Sequence, residues 1–79
     1  MLMALKIRQA GPLDEMAIRR LAQLDSAEKP DGQLLVAENG DELVAALPVE
    51  GGRVVADPFR RTAEAIELLR LRARQLHQS

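Results

Sequence analysis

Leu34-Leu35-Val36-Ala37-Glu38-Asn39-Gly40-Asp41-Glu42-Leu43-Val44-Ala45-Ala46-Leu47 is the stretch whose reading decides the fold. Two short apolar runs flank Asn39-Gly40, a dipeptide that supplies the positive φ angles of a tight hairpin turn, so the segment predicts two antiparallel strands. Both runs are apolar at odd and even positions alike. A sheet wet on one face would alternate apolar with polar, so this hairpin needs cover on both sides. The expectation is an α/β (α+β) domain: a four-stranded antiparallel sheet with one helix on each face, in the order β-α-β-β-β-α.

On the N-terminal side, Leu5-Lys6-Ile7-Arg8 alternates apolar with basic, the pattern of an edge strand with one buried and one wet face. Gly11-Pro12 ends it. The apolar positions Leu13, Ala17, Leu21 and Leu24 then recur at spacings of four, four and three, which predicts the first helix. Pro12 suits its first turn, Asp14 and Glu15 place negative charge at the positive end of its dipole, and Arg19 and Arg20 face outward. Residues 25–33 are rich in turn formers and predict a loop with no core face.

On the C-terminal side, Pro48 should end the second hairpin strand, and Glu50-Gly51-Gly52 turns the chain into a fourth strand, Arg53-Val54-Val55-Ala56. The second helix runs to about His77. Either Thr62 is its N-cap with Glu64 in the first turn, or Asp57 caps it and Pro58 starts it. Its apolar residues Ala65, Ile66, Leu68, Leu69, Leu71, Ala73 and Leu76 span a sector wider than one side of a sheet requires, so part of it either meets a second subunit or is simply an over-apolar core face. Arg70, Arg72 and Arg74 fall in its later half, where cations complement the dipole and their stems can lie along apolar surface.

Composition bounds the function. A chain of 79 residues supports one domain with a thin core, and a domain of this size without disulfides often gains burial by association, so a homodimer is expected. There is no cysteine, and the lone His77 cannot assemble a four-ligand zinc site. Eleven Lys and Arg balance twelve Asp and Glu, and Phe59 is the one aromatic residue, so neither a basic field nor a stacking platform points to nucleic acid. The apolar runs are short and broken by charge, and Met1-Leu2-Met3-Ala4-Leu5 lacks the apolar region and cleavage site of a signal peptide. No membrane partner and a cytoplasmic location are expected.

From Ile7-Arg8-Gln9-Ala10 through Leu71 the chain resembles the N-terminal half of the GNAT superfamily of N-acetyltransferases. Members open with a strand ending Ile-Arg-x-Ala, continue with an Asp-containing helix like Asp14 to Leu24, and carry a hairpin like Leu35-Val36-Ala37-Glu38-Asn39-Gly40-Asp41-Glu42-Leu43-Val44-Ala45. In the family, a basic glycine-rich loop after the fourth strand binds the pyrophosphate of acetyl-CoA at a helix N-terminus. Laid on that loop, Arg60 takes the first position, Ala63 stands where the key glycine would be, and Ala65 is an allowed final residue. The resemblance thus implies a cofactor site made of Arg60, Arg61, Thr62 and Ala63. Residues matching the family's later strands and catalytic tyrosine are missing, and the chain has no tyrosine at all.

Each conspicuous residue also has a plainer reading. Arg60 and Arg61 are an anion site at a helix start, or a solvated pair bridged to Asp57 or Glu64. His77 is a proton shuttle, or only complements the dipole of a final turn. The pairs Asp14/Glu15 and Glu64/Glu67 are acid and base, or ordinary helix-start carboxylates. Phe59 anchors a partner, or plugs the junction of the last strand and helix. Without a glycine in the loop, a Cβ stands where a backbone amide should meet phosphate, and Glu64 adds like charge beside it. The expectation is therefore a non-catalytic, truncated GNAT-like domain with no catalytic residues and no cofactor, homodimeric through the Arg53-Val54-Val55-Ala56 edge or the helix spanning residues 62–77. The alternatives are a minimal acetyl-CoA-dependent acetyltransferase completed across a dimer, and an adaptor for another protein.

Overall fold

A computed structural model describes residues 5–78; the N-terminal stretch read for a targeting signal, up to Ala4, lies outside the described residues. Four strands form one antiparallel sheet in chain order: β1 (Leu5–Gln9), β2 (Leu34–Asn39), β3 (Glu42–Pro48) and β4 (Val55–Ala56). Two helices complete the α+β domain, α1 (Glu15–Leu24), preceded by a single 3-10 turn over Pro12–Asp14, and α2 (Ala63–Gln78). The fourth strand is shorter than expected. Arg53 and Val54 lie outside it, because Gly51 and Gly52 take positive φ and bring the chain into register only at Val55.

The hairpin forms where it was expected, but its turn is displaced by one residue. Asn39 pairs with Glu42, so the two turn residues are Gly40 and Asp41, and of these only Gly40 has positive φ, at 65°. That is the φ pattern of a II′ turn, which needs glycine at its first central position, rather than of the I′ turn that Asn-Gly suggests. A β-bulge adjoins it. Ala37 faces Ala45 and Glu38 faces Leu43, which leaves Val44 as the extra residue of β3.

The apolar residues separate into two clusters. Leu34 and Val36 of β2, Leu43 and Ala46 of β3 and Val55 of β4 pack with Ile18, Leu21 and Ala22 of α1. Leu35 and Ala37, together with Val44, Ala45 and Leu47, pack with Ala65, Leu69 and Ala73 of α2. Alternate residues of a strand point to opposite faces, so β2 divides strictly by parity. In β3 the bulge interrupts that parity and sends both Val44 and Ala45 to the α2 cluster.

Two sequence expectations about α1 need correction. Leu13 is 97% exposed, in the 3-10 turn, and the buried stripe of the helix is Ile18, Leu21 and Ala22. Residues 25–33 do have a core contact: Ala27 packs on the α1 cluster. The cause is the way α1 ends. Ser26 adopts φ 51°, its N–H donates to the Gln23 carbonyl, and the Ala27 N–H donates to the Ala22 carbonyl. This is a Schellman closure, which turns the next residue back against the helix.

Candidate functional site

The junction between β4 and α2 holds the residues that the sequence singles out. Asp57 is buried at 7% exposure. Its Oδ1 accepts the Phe59 N–H at 2.9 Å and its carbonyl accepts the Arg60 N–H at 3.3 Å, so the aspartate closes the turn and does not cap the helix. Thr62 takes the N-cap position: α2 begins at Ala63, and the Thr62 carbonyl accepts the Ile66 N–H at 2.8 Å. Between these anchors the backbone offers no glycine.

Arg60 and Arg61 line a cleft of about 280 Å3 with Leu5, Asn39, Val44 and Ala65, at the hairpin end of the sheet. The two arginines differ in what they hold. Arg60 Nη2 donates to Glu42 Oε1 at 2.6 Å and its Nε lies 3.7 Å from Asp57 Oδ2, so its guanidinium already serves two carboxylates. Arg61 is exposed and makes no ion pair with a described residue. The structure thus brings Arg60 to Asp57, in keeping with the plainer reading, and adds Glu42 from the start of β3. A donor set of one uncommitted cation, a helix start with Ala63 in the glycine position, and Glu64 in the first turn does not fit the pyrophosphate of acetyl-CoA.

The remaining candidates are dispersed. Phe59 is 81% exposed, so it does not plug the junction: the Asp57 turn faces it outward. His77 lies against Val49, its Nε2 2.6 Å from the carbonyl; a carbonyl only accepts, so Nε2 is the protonated nitrogen and donates. Asp14 and Glu15 are not an acid-base pair. Asp14 is bound by Arg8, and Glu15 accepts from Lys29 at 3.0 Å and Arg19 at 3.4 Å. Those partners hold both carboxyls below their ordinary range, Asp14 at about 2 through the Arg8 and Gly11 hydrogen bonds, and Glu15 through Lys29 first. Glu64 and Glu67 are exposed and take part in no ion pair among the described residues. No group of three or more His, Cys, Asp or Glu among the described residues is placed to hold a metal ion, and no helix of the described residues is long and apolar enough to cross a membrane.

Two features bear on association. The Ala56 N–H, on the open side of β4, donates to Asp25 Oδ2 at 3.3 Å, and Arg53 approaches the same oxygen at 3.9 Å. Sequence reasoning passed over Asp25, whose role depends on the tertiary approach of the α1 C-terminus to β4. On α2, Leu68, Leu71 and Leu76 are exposed, and Leu68 and Leu71 border a groove with Ile7, Arg72 and Gln75. No protein-family model, curated protein or solved structure matches the chain.

Proposed function

We propose that the chain is a non-catalytic, GNAT-like half domain of the cytoplasm that self-associates through the outer face of α2. The observation that carries this reading is the make-up of that face. Leu71, 44% exposed, lies opposite the buried stripe of Ala65, Leu69 and Ala73, and Leu68 adjoins it at 37%. Acidic Glu64 and Glu67 precede these leucines, and basic Arg70, Arg72 and Arg74 surround and follow them. Two copies of such a helix packed antiparallel about a two-fold axis would join leucine to leucine and set the acidic half of each against the basic half of the other. A second copy of this chain is therefore the occupant that the charge pattern fits.

The β4 edge is the weaker of the two candidate interfaces, because Asp25 already takes the outward N–H of Ala56 and β4 has only two residues. The resemblance to GNAT proteins is supported by the element order β-α-β-β-β-α. Against a cofactor role stand the engagement of Arg60 by Glu42 and Asp57 and the absence of glycine from the junction.

A helix pair about 24 Å long buries less than a standard interface, so the dimer should be weak, with a dissociation constant on the order of tens of micromolar. Sedimentation velocity over a concentration series tests it: the expected result is a monomer–dimer equilibrium abolished by the double variant Leu68→Glu/Leu71→Glu. A monomer at all concentrations up to about 0.5 mM overturns the proposal. Calorimetry with acetyl-CoA tests the other half. No binding is expected at millimolar cofactor, and micromolar binding weakened by Arg61→Ala would restore the acetyltransferase reading.

A further inference from the structure

We propose that the concavity between the β3–β4 connection and the later half of α2 is a binding site for a small phosphate-bearing ligand. At about 560 Å3 it is twice the volume of the cleft beside Arg60 and Arg61, and it opens at the opposite end of α2. One wall carries Arg70, Arg74 and His77, whose spacings of four and three put them on a single side of the helix. The other wall is Gly51-Gly52.

Three observations point to an anion. First, neither Arg70 nor Arg74 makes an ion pair with a described residue, although Glu50 borders the same space; two guanidinium forks are left with their donors uncommitted. Second, the facing loop is bare. Gly51 and Gly52 take φ of 99° and 135°, and a Cβ built on Gly51 would meet nothing within 4 Å, so a ligand can approach the main chain there without a side chain in its way. The Gly51 N–H is used by the Pro48 carbonyl, whereas the Gly52 N–H has no partner among the described residues. Third, the His77 bond to the Val49 carbonyl ties the end of α2 to the loop, so the two walls are held at a set separation. His77 is thus a positioning residue, and the arginines are the binding groups.

The helix dipole is the competing account of these cations, but it acts within the last turn and Arg70 lies mid-helix in Ala63–Gln78. A phosphate dianion suits the site better than a carboxylate, because it has acceptor oxygens for both guanidinium groups and for the Gly52 N–H together.

The test is an amide-resolved NMR titration of the full chain with inorganic phosphate at constant ionic strength, with sodium chloride as the control. Saturable shifts are expected at Gly51, Gly52 and the Arg70 and Arg74 side chains, with half-saturation below about 2 mM. Arg70→Ala/Arg74→Ala should weaken binding at least about 10-fold with the remaining spectrum unchanged, and Arg61→Ala should have no effect. In the proposed dimer Arg70 and Arg74 also face the acidic half of the partner, so phosphate competes with that pairing. The same titration on Leu68→Ser/Leu71→Ser, which removes the leucine contact without adding a carboxylate beside Arg74, should give binding at least as tight. Failure of the site is thereby told apart from failure of self-association. Shifts that do not saturate, that chloride reproduces, or that centre on residues 60–63 overturn the proposal.

Discussion

Arg8 donates to two carboxylates that reach it from different elements. Its Nη1 and Nη2 meet the two oxygens of Asp14 at 2.7 and 2.9 Å, and its Nε meets Glu38 at 3.0 Å, while the Gly11 N–H donates to the same Asp14. The bidentate pair joins the end of β1 to the turn that opens α1, and Glu38 adds β2. Arg8 holds its proton more tightly as a result, first through Asp14 and then through Glu38, and Asp14 loses its proton at about 2. The folded value lies below the ordinary one of 3.8, so the unfolded chain binds the proton more readily. The pair's contribution to stability is therefore complete above about pH 4 and is lost as pH falls toward about 2. Asp14→Asn is expected to cost about 1–2 kcal/mol at neutral pH in urea unfolding and to flatten the stability profile between about pH 4 and pH 2. Equal acid sensitivity in the two proteins would remove Asp14 from that role. The pair was not legible beforehand: the dipole explains an aspartate at a helix start, and only the turn at Gly11-Pro12 reveals that Arg8 reaches it.

At the scale of elements, α1 shows how a helix ending directs the chain beyond it. Ser26 at φ 51° closes the Schellman motif in a conformation that glycine adopts freely and serine adopts at about 1 kcal/mol. Ser26→Gly relieves that strain and loses about half of the gain to unfolded-chain entropy, for an expected net gain of about 0.5 kcal/mol by thermal or urea unfolding. A loss of stability would mean that the Ser26 side chain matters more than its backbone. The elements themselves were legible, because turn chemistry marks the hairpin and three- and four-residue spacings mark both helices, whereas the division of β2 by parity was not, since Leu34-Leu35-Val36-Ala37 is apolar at every position. Leu13 was misplaced because the same spacing continues upstream through Pro12, where the chain is still in a 3-10 turn. The bulge was invisible because Leu43-Val44-Ala45-Ala46-Leu47 is apolar throughout, and no alternation marks where parity shifts.

For the whole molecule, the two clusters either side of the sheet are small, so single residues carry much of the stability. Leu69 is fully buried and central to the α2 cluster, whereas Leu71 lies two residues away on the outer face. Leu69→Ala is expected to cost about 3 kcal/mol, a large share of what a domain of this size has, and Leu71→Ala under about 0.5 kcal/mol in the monomer. Chemical denaturation at low protein concentration separates the two; comparable losses would mean that Leu71 is packed and the helix is turned about its axis.

The amino-acid sequence by itself determined the strands, the hairpin, the two helices and the near-neutral charge, because apolar periodicity and turn chemistry are local and survive without knowledge of neighbours. Tertiary structure alone decided which charges meet: Arg8 with Asp14 and Glu38, Arg60 with Glu42, and Asp25 with the Ala56 N–H. It also decided that Phe59 faces solvent and that Arg70 and Arg74 are left without carboxylates among the described residues. The physical reason is range. Periodicity records whether a side chain is buried, but a hydrogen bond or ion pair across 18, 30 or 31 positions depends on how separate elements are docked, and no local pattern encodes that distance.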